Sequence, residues 1–182
     1  MKYILKMILI LSVNIAIYGQ ADNIIYKEVM DVYVFKHVQP NLRDSPKVIV
    51  VLKAPIYLRR IDSSEFYLFN KKYKSLDRQT FENFLENRKV DLQLRPIEFS
   101  DVKIVIIDKE QIENKKELFD SYPNWNGSIL EFSNIGFNRK KDQAILYHGF
   151  KFGQGAGGGI YIVLKKKWKK WKIKKVIPSW AN

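Results

Sequence analysis

The 182-residue sequence contains no cysteine and only two histidines, His37 and His148. Without cysteine there is no disulfide, no thiolate nucleophile, no Cys-based zinc site and no iron–sulfur cluster. A bacterial lipoprotein needs a cysteine directly after its leader, so a lipid anchor is not expected. The histidines stand alone, with no H-x-x-x-H or comparable spacing, whereas a metal site needs several ligands close together. Neither a metal nor another cofactor is expected. Acidic residues are sparse as well: 19 Asp and Glu stand against 32 Lys and Arg, leaving a net charge of +13.

What is present begins with a leader. Lys2 and Lys6 make a positive start, and Met7 to Ile17 is apolar apart from Ser12 and Asn14. That stretch is shorter than the roughly 20 apolar residues that span a bilayer. Gly19-Gln20-Ala21 then offers small residues where a signal peptidase reads them. The expectation is a cleaved secretory signal peptide over residues 1–21, with release to the periplasm or the exterior and no transmembrane span afterwards. The competing reading is an uncleaved N-terminal anchor. Loss of Lys2 and Lys6 with the leader takes the charge from +13 to +11, which draws anionic partners over long range.

Residues 22–182 have the length of a single domain. A chain that is 46% hydrophobic and 14% aromatic can build a core without disulfides. Ile25, Val29 and Val32 share one face of a helix expected from Asp22 to about Val38. Val48 to Leu52 reads as a buried strand, with shorter strands over Ile56 to Leu58 and Phe66 to Phe69. A second helix is expected from Asp77 to Arg88, capped by Ser75 or Asp77, with Leu92 and Leu94 beneath it. Val102 to Ile107 is another strand. A third helix runs from Asp108 through Ile112 and Leu118 and stops before Pro123. Ile129 to Phe132, Gln143 to Phe152, Gly159 to Leu164 and Trp171 to Ile177 follow as strands, the last ending at Pro178. Helices first and strands afterwards point to an α+β fold, with helices packed on a curved C-terminal antiparallel sheet.

Three local features bear on chemistry. His148 lies in an alternating strand segment, and a general base needs a positioned partner that no neighbour in the sequence supplies. Glu110, Glu113 and Glu117 recur with Lys109, Lys115 and Lys116 at the spacing of a solvated helix face. The cluster from Gly153 to Gly159 has no Gly-Lys-Ser/Thr behind it and precedes a strand, so a glycine-rich hairpin fits it better than a phosphate-binding loop.

The fourth feature is the run from Lys165 to Lys175, in which lysines alternate with Trp168 and Trp171. Ammonium groups meet phosphates or sulfates, while indoles stack on bases or sugars or lie among lipid headgroups. The plainer reading makes Lys166 to Lys170 a solvated hairpin turn whose lysines discourage edge-to-edge pairing.

Tyr122-Pro123, Gly127, Phe132-Ser133, Ile135-Gly136-Phe137-Asn138, Gln143-Ala144 with Tyr147, Gly157-Gly158-Gly159 with Tyr161, and Leu164-Lys165 before Trp171-Lys172-Ile173 and Trp180 form a pattern. With Phe81, Phe84 and Asn87 upstream, it covers about half of the chain and resembles a family of uncharacterised exported bacterial proteins. The ending is also loosely similar to nuclear-transport-factor-2-like and cystatin-like domains. The resemblance implies export and one compact domain, and no catalytic residues.

The expected function is an exported, non-catalytic binding module. Its partner is an anionic polymer, an anionic membrane surface or another envelope protein, and the contact residues are Lys166, Lys167, Trp168, Lys169 and Lys170. The alternative is a small cell-envelope hydrolase using His148 and a carboxylate.

Overall fold

β-Branched runs make the first two strands. Lys47–Leu52 (β1) and Val102–Ile107 (β2) pair in parallel, with Val50 opposite Val105. On its other side β1 runs parallel to Trp125–Phe132 (β3). From there the sheet turns antiparallel. Gly136–Phe137 (β4) and β3 both border Gln143–Phe152 (β5), followed by Ala156–Lys167 (β6) and Lys170–Ala181 (β7). The order is β2-β1-β3-β5-β6-β7, with β4 on β5. These details come from a computed structural model, which describes residues 22–32, 47–52, 63–88, 97–99, 102–152 and 156–181. The expected leader over residues 1–21, His37, Ile56 to Leu58, Leu92 and Leu94 lie outside the described residues.

Strand alternation sends side chains to both faces, and helices cover each. A helix over residues 22–32 (α1) places Ile25, Tyr26, Val29 and Met30 on Ile49, Val51, Leu130, Leu146 and Ile162. Phe66–Lys72 (α2) and Arg78–Asn87 (α3) cover the opposite face over Ile145, Tyr147, Tyr161 and Val163. Beside them Lys109–Glu113 (α4) and Lys115–Ser121 (α5) flank Val48, Val50, Val105 and Ile129, with Leu118 in that cluster. Full burial of Phe81 and Phe84 stabilises the fold by about 2–3 kcal/mol each. The fold is α+β, with three clusters on one sheet.

Three local expectations need correction. Phe66 to Phe69 is helical, because Phe66 and Phe69 both meet Phe81, at centroid distances of 5.7 and 4.8 Å. That is an i,i+3 face, and it leaves Tyr67 and Leu68 outside. The third helix is two, because Asn114 leaves helical geometry and its side chain accepts from the Glu117 amide at 3.4 Å. β7 does not stop at Pro178. It runs at the sheet edge, where a missing N–H does no harm, and the register shifts there, with Gly159 opposite Trp180 and Ile160 opposite Pro178. The C-terminal part of the sheet is antiparallel as expected, and the parallel strands β1 and β2 extend it.

α3 is clamped to β4 and β5 by polar side chains. Asp77 caps it, accepting from the amides of Gln79 and Thr80 at 2.8 and 3.4 Å. The buried Gln143 accepts from the Asp77 amide and from Thr80 Oγ1, and it donates to the Ser75 carbonyl at 2.8 Å. At the other end Asn83 and Asn87 donate to the carbonyls of Phe137 and Ile135. Gly136 makes this approach feasible, since a Cβ there would sit 2.4 Å from the Phe84 backbone nitrogen.

Candidate functional site

The β6–β7 hairpin ends in a two-residue turn, Trp168-Lys169, closed by the pair Lys167 and Lys170. Both turn residues have positive φ, 52° and 64°. Such a turn matches the twist of the strands but normally takes Asn-Gly. For residues with a Cβ the left-handed conformation costs about 1–2 kcal/mol each. The register between β5 and β6 begins at Gln143 opposite Lys165, and the Lys166 amide reaches only as far as the Asp142 carbonyl, at 2.7 Å. The hairpin tip therefore projects about 7 Å past the start of β5.

The projecting part is cationic. Lys165 lies opposite Lys172, and Lys167 opposite Lys170. By alternation these four share the face that Gln143 and Val163 occupy further in. Like charges directly opposite one another destabilise a strand pair. On the other face, Lys166 Nζ lies 5.6 Å over the ring of Trp171, which is itself buried beside Phe137. Trp168 stands at the apex, 87% exposed.

The structure brings Lys166, Lys167, Trp168, Lys169 and Lys170 together on this tip, all of them exposed. It also places a second basic turn beside them. Arg139, Lys140 and Lys141 are exposed between β4 and β5, one residue from the Asp142 carbonyl that holds the hairpin. The sequence signal for that turn was the run Arg-Lys-Lys itself, 24 positions before the lysine-rich segment and brought next to it only by the β5–β6 pairing.

His148 occupies a different environment. Fully buried on the α1 face, its ring stacks on Phe132 and lies near Phe150. Nδ1 is 3.2 Å from the Glu131 carbonyl. Burial, the largest effect, pushes the imidazole pKa down to about 4, with the carbonyl contact opposing it. The buried Glu131 side chain points the other way: a Cβ on Gly149 would lie 3.1 Å from its Oε2 and 2.7 Å from Tyr147 Oη. Imidazole and carboxylate thus lie on opposite faces of the sheet.

Around Glu131 the glycines form a floor. Gly149 pairs with Gly159, and Gly159 with Trp180. Over that floor Trp180 Nε1 donates to Tyr147 Oη at 3.0 Å. Burial raises the phenol pKa, the indole bond opposes the rise, and Glu131 adds to it. From Ala156 onward the glycine-rich stretch is strand and floor, as the hairpin reading required. A small cavity of about 120 Å³ opens nearby, lined by Glu65, Phe69, Lys72, Tyr161 and Ser179 among others.

Among the described residues no cluster of three or more His, Asp or Glu could hold a metal ion, and no helix is long and apolar enough to cross a membrane. No family model, no curated protein and no solved structure matches this chain.

Proposed function

We propose that the chain is an exported, non-catalytic binding module that captures an anionic partner through the tip of the β6–β7 hairpin. One observation carries this reading: the tip is assembled against its own stability. Lys165 faces Lys172, Lys167 faces Lys170, and an exposed Trp168 occupies a left-handed position. A turn selected for stability alone would use Asn-Gly and mix its charges. Cleavage near Ala21 and release into the periplasm or beyond belong to the same proposal.

The hydrolase alternative has less support. It needs a base within reach of a carboxylate, whereas His148 packs against Phe132 and Glu131 projects from the far face.

The test is binding of residues 22–182, which carry every described element, to immobilised dextran sulfate across a salt series. Beside it runs a variant with Lys165, Lys167, Lys170 and Lys172 changed to Gln. The expected result is salt-dependent binding whose log–log slope falls by about one for every ammonium–sulfate pair that the variant cannot make. Equal slopes and affinities for the two proteins would sink the proposal.

A further inference from the structure

We infer that the anionic partner of the hairpin is a lipid bilayer surface, met end-on, with Trp168 among the headgroups and the lysines around it on the phosphates. This rests on the proposed function, since it names the partner of the same tip.

Shape separates the candidate partners. A linear polyanion is held in a groove, with aromatic rings set in series along its path. The hairpin tip is convex, and it offers a single ring. Trp168 is 87% exposed, while Trp171, three residues on, is 5% exposed beneath Lys166. A lone indole at the apex of a projection suits a planar target that yields to it. Tryptophan favours the boundary between headgroups and acyl chains. Lysine stems can lie along that boundary while their ammonium groups stay with the phosphates.

The charge is placed for the same geometry. Lys169 is at the apex beside Trp168, Lys167 and Lys170 form the first rung below it, Lys166 faces Trp171 on the second, and Lys165 and Lys172 form the third. Beside this column the Arg139–Lys141 turn supplies a second basic foot at the same end of the sheet. Two feet on a plane leave the molecule only one direction in which to tilt, where a single contact would leave it free in both. The place of Trp168 in the two-residue turn sets the indole beyond the last ladder pair, Lys167 with Lys170, and leaves it largely exposed.

The experiment uses residues 22–182 with vesicles of phosphatidylcholine, alone or with about 30% phosphatidylglycerol, near physiological salt. The other proteins are Trp168→Ala, Trp168→Phe and the four-lysine variant, each checked for an unchanged far-UV spectrum. The wild type is expected to bind the mixed vesicles with a blue-shifted tryptophan emission, quenched by lipids brominated on the upper acyl chain. Trp168→Phe should lose the shift. Trp168→Ala should bind the vesicles on the order of tenfold more weakly, a larger loss than it shows on dextran sulfate.

Dextran sulfate binding without vesicle binding would overturn the bilayer inference and leave the proposed function standing. Vesicle binding with no emission shift, or with Trp168→Ala as tight as wild type, would also overturn it. Failure to bind either target would remove both.

Discussion

His148 and Phe132 stack with ring centroids 4.8 Å apart and planes 20° from parallel, on cross-strand partners β5 and β3. The contact belongs to the core under α1, and it makes His148 a burden in acid. Its folded pKa of about 4 lies below the ordinary histidine value of 6.5, so between those values the unfolded chain binds the proton and the folded chain does not. The stability is fully present above about pH 6.5 and declines as the pH falls toward 4. Its size is about 2–3 kcal/mol. Urea titrations at pH 7 and pH 4.5 should show that much more destabilisation in the wild type than in His148→Phe. Equal destabilisation would mean that the folded imidazole accepts its proton.

Gln143 ties the start of α3 to the sheet through three hydrogen bonds. Changing it to Ala strands the Ser75 carbonyl and the Asp77 amide in a part-buried setting, at a cost of about 2–3 kcal/mol. Chemical denaturation should register that cost, and hydrogen exchange should quicken in the first turn of α3. A variant as stable as the wild type would show that water replaces the glutamine.

At Gly136 the obstacle to a side chain is backbone. A Cβ would meet the Phe84 N and Cα at 2.4 and 2.5 Å, so α3 has to lift. Gly136→Ala is expected to cost about 3 kcal/mol, while Gly127→Ala, whose Cβ meets only the ring of Phe119 at 3.6 Å, is limited to the strain of its positive φ. Similar melting temperatures for the two would contradict the close packing of α3 on β4.

The hairpin turn yields the opposite sign. Replacing Trp168 by Asn and Lys169 by Gly matches the residues to the left-handed backbone and should stabilise the fold by about 1–2 kcal/mol. The same change should weaken vesicle binding. A calorimetric scan reads the first effect, vesicle sedimentation the second. No gain in stability would show that the native turn carries no strain.

Much of this architecture was legible because its signals are local. Val48 to Leu52 and Val102 to Ile107 are β-branched runs, and Phe81 and Phe84 mark one face of α3. Gln143 to Phe152 matches β5 residue for residue. Phe66 to Phe69 misled because four apolar residues fit either period, and only Phe81 decides between them. The Pro178 crossing was hidden because edge position and bulge are properties of the sheet, not of the strand. At the candidate site, the lysines and Trp168 could be named from composition. Their pairing as Lys165 with Lys172 and Lys167 with Lys170 required the register. The Arg139–Lys141 turn could not be joined to them at all, since the link runs through β5.

β1 lies between β2 and β3, both of which come later in the chain. Val50 cannot be placed until Val105 and Ile129 exist to receive it. The β5–β6–β7 meander, by contrast, closes on near neighbours, and short-range pairings form fastest. The quick-folding part is therefore the last third of the chain, and the slow-closing part is the first. A chain still being synthesised therefore carries β1 without either of these strand partners until residues 102–132 have been made.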